Sequence, residues 1–195
     1  MLPGGFTAHA RGITWMDSLF YQRANRTIRT IGVEGVHMQI KELGHLVLYV
    51  RDVEKSAAFY RDILGWRQIA PGSDGVKTLP FSGYAAFSAP NDRTHHELLL
   101  IEVGTAATPI PSGRRVGMYH FGLKVGDSDD ELREVVKTLT DAGVTIDGSS
   151  DHTVTHSLYI RDPDGNEIEL YIDVPGVDWI KNPALIAAPI KPLRL

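Results

Sequence analysis

Between Gly44 and Val50 the chain is almost wholly apolar, and extended geometry divides it into two rows, with Leu46, Leu48 and Val50 on one face and His45, Val47 and Tyr49 on the other. The period then changes. Val53, Ala57, Tyr60, Ile63 and Leu64 recur at helical spacing, which predicts a helix over 53–64 with Asp52 as its cap and Gly65 as its stop. Three further strands are predicted at 67–70, 84–88 and 96–103. The same order then returns. An opening strand, 119–125, places Phe121, Leu123 and Val125 opposite His120, Gly122 and Lys124. A helix over 129–142 carries the stripe Leu132, Val135, Val136, Leu139 and Ala142, with Ser128 or Asp127 as cap and Gly143 beyond its end. Strands follow at 145–147, 157–161 and 167–172, the last two joined by Asp162-Pro163-Asp164-Gly165, in which Pro presets φ and Gly accepts a positive one.

The two stretches read as copies of one unit. Aligning His45 with His120 also brings Glu97 of the first closing strand to within a few positions of Glu169 in the second, so a duplicated unit with a small insertion accounts for both. This divides the chain into an N-terminal extension over 1–40, a first module over 41–103, a linker over 104–115 marked by Pro109, Pro111 and Gly113, a second module over 116–174, and a tail over 175–195. The extension carries four arginines but no secretory apolar run, and reads as disordered chain or as a start set too far upstream. The tail, with Pro183, Pro189 and Pro192, either wraps the body or stays mobile.

Composition narrows the chemistry. The 195 residues contain 0 Cys, which excludes thiol redox chemistry, thiolate metal sites and cysteine nucleophiles, so any metal must bind His, Asp or Glu. Lys plus Arg is 20 against Asp plus Glu at 24, a net charge of -4, which offers no overall field for nucleic acid or an acidic membrane surface. No run approaches the ~20 apolar residues of a membrane helix. A small-molecule ligand and a cytoplasmic location are the expectations, and the paired modules are compatible with a homodimer, because two modules can pair within a chain or exchange with a second one.

Period-two alternation puts His45 and His120 on the faces turned away from the helices, and Glu97 and Glu169 likewise. If the sheets pack as a curved pair, two imidazoles and two carboxylates line one cavity. Two histidines and a carboxylate with open positions suit non-haem Fe(II) oxygenase chemistry, whereas a fourth oxygen ligand suits a six-coordinate divalent Lewis acid. His95 and His96 have no counterpart in the second copy and flank the site or face solvent.

At these residues the sequence resembles the vicinal oxygen chelate superfamily of glyoxalases, bleomycin-resistance proteins and extradiol dioxygenases. The resemblance is carried by Gly44-His45-Leu46-Val47-Leu48-Tyr49-Val50-Arg51-Asp52 with Phe59-Tyr60 and Leu64-Gly65, and by Asp162-Pro163-Asp164-Gly165-Asn166-Glu167-Ile168-Glu169-Leu170-Tyr171. It implies an α+β fold, two tandem βαβββ modules forming a curved mixed-sheet cup around one metal site. The segment 150–159 and the ending Tyr171-Ile172-Asp173-Val174-Pro175 with Trp179 look more like the catechol 2,3-dioxygenase-like branch. That branch implies Fe(II) held by His45, His120 and Glu169, a catechol-like diol and O2 as substrates, His152 as acid-base group with His156 as its competitor, and Tyr159 as hydrogen-bond donor. The resemblance equally admits a glyoxalase I-like lyase using Ni(II), Zn(II) or Mn(II), with Glu97 as fourth ligand; Arg51, Arg67, Arg114 and Arg115 are then available to anchor glutathione. A metal-free drug-binding cup is the third reading.

Overall fold

The structure, a computed structural model, describes residues 39–71, 83–91 and 93–195. The N-terminal extension, apart from its last two residues, lies outside the described residues, and residues 42–195 form one compact unit. Its order is β1 (Leu46–Val50), α1 (Val53–Ala58), β2 (Arg67–Ala70), β3 (Tyr84–Ser88), β4 (Leu98–Glu102), β5 (His120–Gly126), α2 (Asp129–Asp141), β6 (Gly148–Asp151), β7 (Thr155–Arg161) and β8 (Glu167–Asp173). Each module is thus strand, helix and three strands, folded into a four-stranded sheet in the order β1-β4-β3-β2 or β5-β8-β7-β6. The first and last strands of each module pair parallel and the rest antiparallel, so both sheets are mixed. The expected α+β architecture of two tandem modules is the one observed. No described helix is long and apolar enough to cross a membrane.

The expected face division holds in β1, where Leu48 and Val50 are buried while Val47 and Tyr49 are exposed. Both helix-facing rows feed one core: Val50, Val53, Tyr60, Phe87 and Leu100 of the first module join Leu132, Leu139, Ile160, Ile168 and Leu170 of the second. The modules are also tied by polar contacts. The Tyr60 hydroxyl donates to Asp162 Oδ2 at 2.9 Å, and the Arg51 guanidinium pairs with Asp164 Oδ1 at 3.4 Å, so the Asp-Pro-Asp-Gly turn of the second module is seated on α1 and its approach.

Two elements depart from expectation. The first helix keeps α geometry only to Ala58 and then widens into a π turn over Phe59–Ile63, where the Leu64 N–H reaches back five residues to the Phe59 carbonyl at 3.2 Å. Such a turn has no mark in the apolar period. The strand expected at 145–147 lies instead at Gly148–Asp151, because Val144 and Ile146 pack against the core while the polar Gly-Ser-Ser-Asp segment finds its ladder on β7. In α2 the Ser128 side chain accepts from the Glu131 N–H, and Glu131 Oε2 accepts from the Asp127 N–H and the Ser128 hydroxyl at 2.8 Å each, a reciprocal cap. The tail wraps the body: Lys191 exchanges two backbone hydrogen bonds with Asp151, both 2.9 Å, and Leu193 packs against the core.

Candidate metal and acid-base site

Three neighbouring strands of the second sheet assemble a group of chemically competent side chains. The parallel register of β5 on β8 sets Gly122 opposite Glu169, and the antiparallel register of β7 on β8 sets Tyr159 opposite the same Glu169. His120, at the start of β5, points to the same face, with Nε2 3.1 Å from Glu169 Oε2. Gly122 gives this pair its room, since a Cβ there would stand 3.2 Å from the Tyr171 ring and 3.8 Å from Glu169 Oε2. The Tyr159 hydroxyl is 3.3 Å from Glu169 Oε1 and 2.7 Å from His152 Nε2. A single phenolic proton serves only one of these neighbours, so the His152 tautomer sets the direction of the chain.

The electrostatics of the group follow from partial burial. Desolvation, then the charge of Glu169 and its hydrogen bond, push the Tyr159 phenol up to about 12, so it is a donor at neutral pH. His120 Nδ1 is buried without a hydrogen-bond partner, with Glu167 Oε1 at 3.7 Å, beyond bonding reach. An imidazole nitrogen and a carboxylate oxygen 3.1 Å apart, both on one face, fit two adjacent ligand positions of a single divalent ion.

The first module holds the other expected residues. His45 precedes β1 and its ring lies 4.6 Å from that of His96 and 6.1 Å from that of His95. The Nδ1 atoms of His95 and His96 are 2.6 Å apart, and burial, with the charges of His95 and His45, lowers the His96 pKa. Glu97 is occupied on both oxygens, Oε2 accepting from the Ala89 N–H at 2.7 Å and Oε1 facing Arg93 Nε at 3.4 Å. His45 and Glu97 open on a cleft of about 710 Å³ whose wall includes Trp66, Phe121, Lys124 and Tyr171. Among the described residues, no group of three or more His, Asp or Glu stands close enough within one chain to hold a metal ion. The structure therefore brings together His120, Glu169, Tyr159 and His152, and sets His45 and Glu97 apart from them.

His152 and His156 stand in different surroundings. His156 shares the buried side of β7 with Leu158 and Ile160, and its Nδ1 lies 2.6 Å from Asp129 Oδ1 at the start of α2. It is turned from Tyr159, and His152 alone of the two meets the phenol. Sequence reasoning missed Arg93, which occupies Glu97, and Glu167, which approaches His120; the Glu-Ile-Glu alternation of β8 was the available signal for the latter.

The model of the Glyoxalase/Bleomycin resistance protein/Dioxygenase superfamily matches residues 42–170. The chain is similar to a catechol-2,3-dioxygenase of Bacillus subtilis, 32% identical over 137 residues, which is 70% of this chain and 43% of that protein. It thus spans less than half of that relative. A lactoylglutathione lyase of Neisseria meningitidis is 29% identical over 138 residues, covering 70% of this chain and 94% of the lyase. In fold, the chain is similar to the crystal structure of a glyoxylase/bleomycin resistance protein/dioxygenase domain from Frankia, with TM-score 0.57, 23% identity, and coverage of 71% of this chain and 96% of that one.

Proposed function

The chain belongs to the Glyoxalase/Bleomycin resistance protein/Dioxygenase superfamily, and from that premise we propose that it is an extradiol-type ring-cleaving dioxygenase of aromatic catabolism, acting on a catechol-like diol with O2. The observation that carries this reading is the shared face of His120, Glu169, Tyr159 and His152, an imidazole-carboxylate pair beside a phenol-imidazole pair. The ion, Fe(II) by this reading, supplies a Lewis acid and redox centre for a chelating diol and O2. His120 and Glu169 would hold it, with His45 as third ligand.

The chain's own residues handle the proton and the substrate. His152 Nε2 takes the proton of a diol hydroxyl delivered to this face, and the Tyr159 hydroxyl, kept protonated by its surroundings, donates a hydrogen bond to a substrate oxygen. Glu97 stays with Arg93 and the Ala89 N–H, so it would be withheld from the four-ligand set of a lyase site, which favours ring cleavage. His45 reaches His120 and Glu169 from a second copy of the chain, the first module of one facing the second module of the other, because among the described residues of one chain no three His, Asp or Glu come together as a metal site.

The test is metal analysis of anaerobically purified protein, followed by assays on a catechol panel under O2 and on the methylglyoxal-glutathione hemithioacetal. Iron with a ring-opened product, both lost in His120→Ala, supports the proposal. Nickel, zinc or manganese with thioester formation that disappears in Glu97→Ala moves the assignment to the lyase. A chain that takes up no metal at any loading is a binding cup instead.

A further inference from the structure

We infer that the C-terminal tail positions the acid-base histidine: Lys191 clasps Asp151 and thereby holds a strained turn that presents His152 to Tyr159. The inference rests on the site reading above for its catalytic consequence, but not for its geometry. The turn joining β6 to β7 is Asp151-His152-Thr153-Val154, and Thr153 sits at φ +72°, the one described residue other than glycine with a positive φ. For a β-branched residue that conformation forces Cβ against its own backbone, and it persists only where neighbours over-determine it.

Hydrogen bonds from both sides over-determine this conformation. Asp151 Oδ1 accepts from the Thr153 N–H at 2.7 Å, and the His152 N–H donates to the Thr155 carbonyl at 2.9 Å. Asp151 is in turn fixed from outside. β6 is the edge strand of its sheet, and the outward N–H and carbonyl of Asp151 pair with the carbonyl and N–H of Lys191, both at 2.9 Å. Lys191 Nζ adds a contact to Thr153 Oγ1 at 3.4 Å and stands 3.9 Å from Asp151 Oδ2. Leu193, two residues on, anchors the tail in the core. Two side chains join this end of β6 to the phenol, the Ser150 hydroxyl and His152, whose Nε2 is 2.7 Å from the Tyr159 hydroxyl. Lys191, Asp151 and Thr153 are positioning residues, because none of them faces the substrate side.

Two full-length variants separate the backbone pair from the ammonium contact. Lys191→Pro removes the N–H that the Asp151 carbonyl accepts, while Lys191→Ala keeps it. In metal-free protein, the ring resonances of His152, assigned by their disappearance in His152→Gln, are expected to report one fixed tautomer in wild type and in Lys191→Ala, and an average of two in Lys191→Pro. In loaded enzyme, Lys191→Pro is expected to lower kcat on a catechol roughly 10- to 100-fold with KM within about twofold, since misplacing a catalytic group costs orders of magnitude in rate. Adding Thr153→Gly, which removes the strain the clasp opposes, is expected to restore much of both signals. Wild-type hydrogen exchange supplies a measurement that no folding defect can blur: the amides of Asp151, Thr153 and Lys191 should open together. An unchanged His152 tautomer in folded Lys191→Pro, or a Lys191 amide exchanging far faster than the other two, overturns the inference. Loss of the fixed tautomer in an enzyme with no catechol activity retains it and removes the dioxygenase reading instead.

Discussion

Tyr159 concentrates the chemistry of the site at the scale of one residue, because its phenol is pushed up to about 12 while a tyrosine in the unfolded chain titrates near 10. Between those values the folded protein binds the proton and the unfolded chain does not, so the contribution to stability is whole below about pH 10 and is lost as the pH rises to about 12. Urea unfolding at both ends of that window should show a steeper alkaline loss in wild type than in Tyr159→Phe. Metal loading should shift the same titration downward, since an ion on Glu169 offsets the charge that, after burial, raises it; spectrophotometric titration of metal-free and loaded protein checks this. At this scale the sequence was legible in part. His120, Glu169, Tyr159 and His152 carried a repeat or a motif. The occupation of Glu97 by Arg93 did not, because it depends on a turn that brings Arg93 Nε against the carboxylate.

At the scale of elements, the modules cohere through features that periodicity cannot carry. The π turn over Phe59–Ile63 accompanies a fully buried Tyr60 whose hydroxyl reaches Asp162 in the other module. Burial, then the charge of Asp162, holds that phenol well above its ordinary value. Tyr60→Phe removes one donor from a carboxylate that keeps the Asn166 side chain and two backbone N–H groups, and should cost about 1.5 kcal/mol in denaturant unfolding, the low end for a hydrogen bond to a charged group. Gly126→Ala acts at the start of α2. A Cβ there would lie 2.7 Å from Glu131 Cβ and 2.9 Å from its Cδ, and the helix turn itself must shift, breaking the reciprocal cap with Ser128. A loss of about 1–3 kcal/mol in thermal unfolding is expected.

For the whole molecule, the sharing of one core by both modules turns their helix-facing sides toward each other and leaves Val47 and Tyr49 exposed beside His45. A site completed by a second copy makes a definite prediction. His45→Ala and His120→Ala chains should each be inactive, and dissociating and mixing them should return about a quarter of wild-type activity, since half of randomly paired dimers would hold one intact site. Additive inactivity in the mixture would place all three ligands in one chain.

What the sequence determined by itself was everything that recurs along the chain: two modules, their strand and helix order, the face on which each His and Glu stands, and the absence of thiol ligands. These follow from period and composition, which are local properties of a polymer. What only the tertiary structure decided was which faces meet. The seating of the Asp-Pro-Asp-Gly turn on α1 and the clasp of Lys191 on Asp151 join residues far apart in sequence, and which of His152 and His156 meets the Tyr159 phenol depends on how the short turn between β6 and β7 is folded. Their positions are set by packing and hydrogen-bond geometry across the core, and no pattern along the chain encodes a distance in space.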